Sequence, residues 1–280
     1  MKLMASPESR FLTCQERNIH FMEWGDSSRD TVVIWHGVTG TCEDHRELAA
    51  RLSDTYHVIC PDSLCCGLSD WAKEDRDTSL GFYADVAEDL FRQLGKSSLR
   101  WIGSSKGGGL GIVLAARDNG LEISHLVLND VGVGLDENFR KALAKGLSSP
   151  PVFDRFQEFA GKVRNFLSKM GLELTEQKWH DLIRSYARRT DDGRFTYHYD
   201  PRLAVQFAEH PEDFDLWNYY DQVAAKTILI RGAHSIVPDE EARMMAERGP
   251  KCSLLDRTGG HVSLMDKLVE QDVILEFLKN

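Results

Sequence analysis

The sequence predicts an α/β protein: a mostly parallel sheet with helices on both faces, plus a helical cap inserted late in the chain. Three observations predict it. Short apolar runs alternate with amphipathic helical patterns, the order expected of parallel strands joined by crossover helices. One apolar run passes through the turn Gly103-Ser104-Ser105-Lys106-Gly107 directly into a small-residue helix. Roughly ninety residues of helical pattern then separate Asp130 from Thr227, far more than a crossover connection needs.

The elements follow in order. Residues 11–25 read as an opening hairpin with its turn near Arg17-Asn18, and a loop follows at Gly25-Asp26-Ser27-Ser28. Residues 31–35 form an apolar strand running into His36-Gly37. Thr41-Cys42-Glu43-Asp44 can cap a helix that carries Leu48, Ala49 and Leu52. Residues 58–62 are the next strand. Residues 77–94 read as an amphipathic helix, because Phe82, Val86, Leu90 and Leu94 recur every four residues and Gly95 can end it. A strand at 99–102 leads through the serine turn into a helix at 108–116. Strands follow at 125–129, with Asp130 at the C-terminal end, and at 227–232. A last short strand precedes Gly259-Gly260-His261.

The inserted block carries helical patterns at 136–147, 154–170 and 175–189. The expected division is a core of residues 1–132 and 223–280 with a cap of 133–222. The cap is rich in aromatics: Phe153, Phe156, Phe159, Phe166, Trp179, Phe195, Tyr197, Tyr199, Trp217, Tyr219 and Tyr220. Most should build the cap's own small core. Those within 153–166 and 217–220 are expected to face an apolar pocket above Ser105.

Composition narrows the function. At 280 residues the chain can bury a large core. The net charge of −10 is spread along the chain, which argues against a nucleic-acid partner. Residues 1–11 hold no apolar run of a secretory signal, and no stretch is apolar for long enough to span a membrane. Cys14, Cys42, Cys60, Cys65, Cys66 and Cys252 have neither disulfide-framework nor metal-site spacing, so they read as reduced thiols in a cytoplasmic protein. The ten histidines show no HExxH pattern, and Gly107-Gly108-Gly109 lacks the trailing Lys-Ser/Thr of a phosphate loop. No metal or cofactor is expected. The expected partner is a small-molecule substrate acted on by a monomer or homodimer.

The chemistry centres on Ser105. A serine hydroxyl is a weak nucleophile until a base takes its proton, and a carboxylate holds that base in the right tautomer. In a strand–turn–helix setting, Gly-x-Ser-x-Gly presents its central serine at the sheet edge. Thr31-Val32-Val33-Ile34-Trp35-His36-Gly37, Val58-Ile59-Cys60-Pro61-Asp62 with Gly67-Leu68-Ser69-Asp70, and the late Gly259-Gly260-His261 agree with that setting. Together they make nearly the whole chain resemble the α/β-hydrolase family. The resemblance implies that Ser105 is the nucleophile, that His261 is the general base, and that the N–H groups of Val38 and Lys106 form an oxyanion hole. His36, Gly37 and Lys106 become candidate substrate contacts.

The chain departs from the family where the acid should be. Ile236 occupies the expected aspartate position after strand 227–232, and Asp239 beyond it reads as a helix cap. Asp130 is the substitute candidate, at a strand end from which some members of the fold supply the acid. Lys106 directly after the serine, and Cys65-Cys66 in the loop after Asp62, are further departures. Lys106 could steady developing charge or bind a carboxylate, or else snorkel outward or pair with a nearby acid. The sequence therefore points to a serine hydrolase of a small, largely apolar ester, thioester or activated C–C bond. A lyase or cyclase using His261 as base, and a receptor with a degraded triad, stand as alternatives.

Overall fold

The computed structural model describes residues 6–280. β1 (Glu8–Cys14) and β2 (Arg17–Trp24) form the opening antiparallel hairpin. Its turn is Gln15-Glu16, both at positive φ (48° and 59°), two residues earlier than expected. Arg17 and Asn18 are already paired, with Cys14 and Thr13. A two-residue turn of this kind usually announces itself by Asn-Gly or Asp-Gly, and Gln-Glu carries no such signal.

β3 (Thr31–Trp35) and α1 (Arg46–Leu52) follow. Thr41 to Asp44 form turns before α1 instead of capping it, and no side chain caps its N-terminus. β4 (His57–Pro61) leads to α2 (Leu80–Gln93). This helix starts three residues later than its apolar period suggests. The Ser79 hydroxyl accepts from the Phe82 N–H at 3.2 Å and so fixes the start. The preceding Asp75–Thr78 is a 3-10 turn, in which buried Asp77 receives both Nε and Nη2 of Arg17. β5 (Ser98–Ser104), α3 (Lys106–Ala116) and β6 (Glu122–Asn129) complete the first part of the sheet.

The chain then leaves the sheet. α4 (Glu137–Leu147), α5 (Phe156–Lys169) and α6 (Glu176–Tyr186) match the three helical patterns, except that α6 stops at Tyr186. The residues expected to end that helix are β7 (Ala187–Arg189), paired with β8 (Phe195–Tyr197). α7 (Leu203–Glu209) and a short α8 (Trp217–Tyr220) bring the chain back. β9 (Lys226–His234), α9 (Asp239–Glu247), β10 (Ser253–Gly260) and α10 (Leu268–Lys279) finish the fold.

The strand order is β1-β2-β4-β3-β5-β6-β9-β10, and every neighbouring pair from β4 to β10 is parallel. Both faces of the sheet are buried. Val33, Trp35, Trp101 and Leu128 face α2 and α3, where the Trp35 and Trp101 rings stack at 5.3 Å. Val32, Ile34, Ile102 and Val127 face α1 and α10 through Leu48, Ile274 and Leu278. The insertion has its own apolar cluster around Phe159, Val163, Leu167, Trp179 and Ile183, and Val262 and Leu264 of the segment after β10 pack against it. Glu241 of α9 accepts the N–H groups of Val133 (2.7 Å) and Gly134 (3.0 Å), which ties the start of the insertion to the sheet. No described helix is long and apolar enough to cross a membrane.

The passage from β5 to α3 is among the tightest points of the fold. A Cβ on Gly103 would lie 2.3 Å from the Gly107 carbonyl oxygen, and one on Gly107 would lie 2.4 Å from that of Trp35. Both contacts are with backbone, which cannot swing aside. Gly107→Ala should therefore cost about 3 kcal/mol or more. Gly161→Ala, inside α5 with nothing within 4 Å of the new methyl, should instead add about 0.5–1 kcal/mol. Urea unfolding of the two variants against the parent checks both.

Candidate active site

The sharp turn that the two glycines permit sets Ser105 at φ 49° and ψ −118°, a strained conformation for a residue with a Cβ. Its N–H bonds the Asn129 carbonyl (3.1 Å), and its carbonyl accepts from Gly108 and Gly109. The hydroxyl does not cap α3. Ser105 lines a cavity of about 670 Å³ between the sheet edge and the insertion.

His261 follows the last residue of β10 and lines the same cavity. Its Nδ1 lies 2.7 Å from Oδ2 of Asp130. A carboxylate only accepts, so Nδ1 carries the proton and Nε2 is left with its lone pair. Asp130 is fully buried at φ 52°, one residue past β6. Its Oδ1 accepts from Gly232 N–H (2.8 Å) and its Oδ2 from Ile236 N–H (3.5 Å). Burial alone would raise the Asp130 carboxyl. The bonds from His261 and Gly232 outweigh it and hold the group below the usual carboxylate range. Among the described residues no hydrogen bond joins Ser105 to His261, a looseness common in unliganded sites. The other carboxylate is elsewhere: Asp239 is the first residue of α9, is not the cap, and pairs with Arg231 at 2.5 Å. Ile236 lines the cavity while its N–H faces Asp130.

A second polar network backs this pair. Buried His45 donates from Nδ1 to the Leu264 carbonyl (3.1 Å) and accepts the Ser104 hydroxyl at Nε2 (3.0 Å). Asn129 Nδ2 donates to Ser104 Oγ (2.8 Å) and to the Ser263 carbonyl (3.3 Å). Burial pushes His45 down to about 4, so it stays neutral at pH 7. The network joins the strand that leads into Ser105 to the segment carrying His261. No motif in the sequence singles out His45, Ser104 or Asn129. The available signal was that Ser104 and Asn129 directly precede Ser105 and Asp130.

Other expected contacts divide. Gly37 and Val38 line the cavity, but His36 does not. The His36 ring is fully buried, donates from Nδ1 to the Gly37 carbonyl (2.6 Å) and accepts Ser63 N–H at Nε2 (2.8 Å). It braces the turn, which corrects its assignment as a substrate contact. The stem of Lys106 lines the cavity, yet its Nζ neither snorkels outward nor meets a carboxylate. The ammonium lies 3.4 Å from the centroid of the Tyr83 ring, buried and without a hydrogen-bond partner among the described residues. Burial pushes it down to about 8.

Of the aromatics expected over Ser105, only Phe166 lines the cavity. Phe153, Phe156 and Phe159 pack on one another and on Phe195 and Tyr197, and Tyr220 donates its hydroxyl to Met245 in the core. The cavity wall comes instead from Phe139, Tyr186, Tyr197, Tyr199, Phe207 and Phe214. Asp44 also lines it. Burial pushes this carboxyl up to about 7, and the Tyr186 hydroxyl donates to it at 3.0 Å.

All six cysteines are buried and free. His20, Cys42 and Asp62 bring three possible metal-ligand atoms within 4.8 Å of one another. The Asp62 oxygens, however, already accept from His20 Nδ1 (2.7 Å), Cys42 N–H (2.7 Å) and Leu68 N–H (2.9 Å), so the trio serves as a loop anchor.

The geometry and the comparisons agree on the family. The profile of the alpha/beta hydrolase fold family matches residues 30–268, and the chain belongs to that family. It is 29% identical over 269 residues to a 3-hydroxybutyrate-oligomer hydrolase of Cupriavidus necator, covering 91% of each chain. An alpha/beta hydrolase from Novosphingobium aromaticivorans superposes with a TM-score of 0.84 at 26% identity, covering 99% of both chains. E-2-(acetamidomethylene)succinate hydrolase superposes at 0.85 with 20% identity over 98% of this chain and 100% of that one, a likeness of fold.

The buried ammonium generates a stability prediction. The folded-state value of Lys106 (about 8) lies below that of an unfolded lysine (about 10.4). Between these values the unfolded chain binds more protons, so its contribution to stability rises with pH across that window and the penalty is complete below pH 8. The Tyr83 ring offsets part of it. Lys106→Met should therefore be more stable at pH 7 by about 1–3 kcal/mol and lose that pH dependence. Equal denaturation midpoints at pH 7 would show that the charge carries no burial penalty.

Proposed function

We propose that the protein is a serine hydrolase acting on small, largely apolar esters, with Ser105 as nucleophile, His261 as general base and Asp130 as the acid that orients it. The observation that carries this reading is the 2.7 Å Asp130–His261 contact in the same cavity as a serine at positive φ. In the proposed reaction, His261 Nε2 takes the Ser105 proton as Oγ attacks the carbonyl. Asp130 steadies the imidazolium, and Nε2 returns the proton to the departing oxygen. Water then enters by the same route and releases the acid.

The N–H groups of Val38 and Lys106 would stabilise the oxyanion. Lys106 opens α3, where first-turn N–H groups have no intrahelical acceptor. Val38 lies in the cavity-lining loop after β3. The insertion acts as the cap that keeps water from an apolar acyl pocket. Ester chemistry is favoured over thioester or C–C cleavage by the named activity of the Cupriavidus necator relative. A base-only lyase would use the Asp130–His261 contact but leave the strained serine without a role, and a receptor would leave both without one.

A fluorophosphonate probe should label the parent at Ser105 and leave Ser105→Ala unlabelled. Ser105→Ala should lower ester hydrolysis by about 10⁴-fold or more. Hydrolysis that survives this change would move the chemistry to His261 alone. Asp130→Asn should keep the fold and lower kcat by about 10²- to 10⁴-fold, because an amide can present N–H to Nδ1 and select the wrong tautomer. Near-normal turnover would remove Asp130 from the triad.

A further inference from the structure

Between β3 and α1 the chain makes a tight turn over residues 37–40, closed by the Gly40 N–H on the Gly37 carbonyl (3.2 Å). The turn carries Val38, whose N–H donates to nothing among the described residues. The carbonyls around that N–H are taken. On the core side, His36 Nδ1 donates to the Gly37 carbonyl (2.6 Å) and the Cys66 thiol to the Val38 carbonyl (3.4 Å). On the other side the partners come from the insertion. His198, the residue after β8, accepts the Gly67 N–H at Nδ1 (2.8 Å), so its proton is on Nε2, which donates to the Thr39 carbonyl (3.1 Å). Tyr186, the last residue of α6, donates to Oδ2 of Asp44 (3.0 Å). That oxygen rests on the end of the turn, where a Cβ on Gly40 would stand 2.3 Å from it. The two side chains also support each other. The His198 N–H bonds the Tyr186 carbonyl (3.0 Å), and the rings meet edge to face at 5.7 Å. Both are buried, so both bonds are made out of reach of bulk water.

We infer that Tyr186 and His198 are positioning residues of the oxyanion hole, through which the insertion holds the turn that presents the Val38 N–H. The inference rests on the serine hydrolase reading above and gives the insertion a part in the chemistry beyond covering the pocket. Bonds that only fasten a lid need no particular partner on the core. Here one ends on the turn itself and the other on the carboxyl packed against it. A developing oxyanion is stabilised by donors already fixed where the charge forms. The direction of a turn N–H follows the dihedral angles around it, so a slack turn misplaces the donor, and a shift of about 1 Å can cost about 10²-fold in rate.

The test uses p-nitrophenyl butyrate as substrate and a trifluoromethyl ketone as inhibitor, whose adduct with Ser105 places an oxyanion in the hole. Tyr186→Phe and His198→Leu should each lower kcat by about 10- to 100-fold, with KM within about threefold of the parent, and should weaken the ketone by a similar factor to kcat. Asp44→Leu should do the same. Asp44→Asn keeps an acceptor for the Tyr186 hydroxyl and should recover most of the rate lost in Asp44→Leu. Tyr186→Phe removes one oxygen and opens no large cavity, so it decides the matter even where His198→Leu does not fold. The inference is overturned if kcat of Tyr186→Phe stays within about twofold of the parent while only KM or the thermal midpoint changes, the result expected of bonds that merely fasten the insertion. It is also overturned if kcat falls but the ketone binds as tightly as to the parent, or if Asp44→Asn is as slow as Asp44→Leu. A parent that neither hydrolyses the ester nor binds the ketone would overturn the serine hydrolase reading, and this inference with it.

Discussion

A carboxylate with no exposure to water must have its charge answered on every side, and Asp130 meets that demand with three parts of the chain. It stands at the end of β6. It takes one N–H from Gly232 in β9, a second from Ile236 beyond that strand, and the Nδ1–H of His261 beyond β10. Removing any one of these would leave an under-compensated buried anion, whose desolvation costs several kcal/mol. The same contacts that satisfy the charge therefore hold the ends of three strands and fix the direction of the imidazole. The acid is thus also a structural tie, and backbone strain at φ 52° is sustained by the bonds around it.

On the other side of the cavity, steric closeness plays the part that charge plays at Asp130. The glycines around Ser105 let α3 begin against the ends of β3 and β5, and this crowding forces the serine to positive φ. His45, Ser104 and Asn129 then connect this turn to the Ser263–Leu264 backbone. The two halves of the site are thus joined twice, once through the sheet and once through a neutral hydrogen-bonded network. That is how two side chains 156 positions apart in the sequence come to share one cavity.

The cavity's apolar walls give its polar groups their weight. In a low-dielectric space an unpaired donor or acceptor is expensive, while a partner supplied by a ligand is worth more than it would be in water. Asp44 has found Tyr186, and Asp213 has found Gln206 and the Leu80 N–H. Among the described residues, the Lys106 ammonium has found only an aromatic face and the Gln206 carbonyl has found no partner.

Most of the fold was legible in the sequence, because its signals are local. Apolar runs, a four-residue helical period and the Gly-x-Ser-x-Gly turn depend only on near neighbours, so the order of strands and helices could be read directly. So could the meeting of Ser105 and His261 on one cavity, and even the Asp130–His261 contact, through the absence of an acid at Ile236. What failed was decided by contacts between distant segments. The hairpin turned at Gln15-Glu16 because β1 and β2 pair in that register. Residues 187–189 became a strand because β8 lies beside them. His36 carried the right chemistry for substrate, but the Ser63 N–H claimed its ring. The Lys106 ammonium had two plausible directions from the sequence and took a third, onto an aromatic ring 23 residues earlier. The aromatics of the insertion followed the same rule: composition told how many there were, and only packing decided which ones face the cavity. A side chain's type is written in the chain. Its partner is chosen by whatever the finished fold sets within a few ångströms.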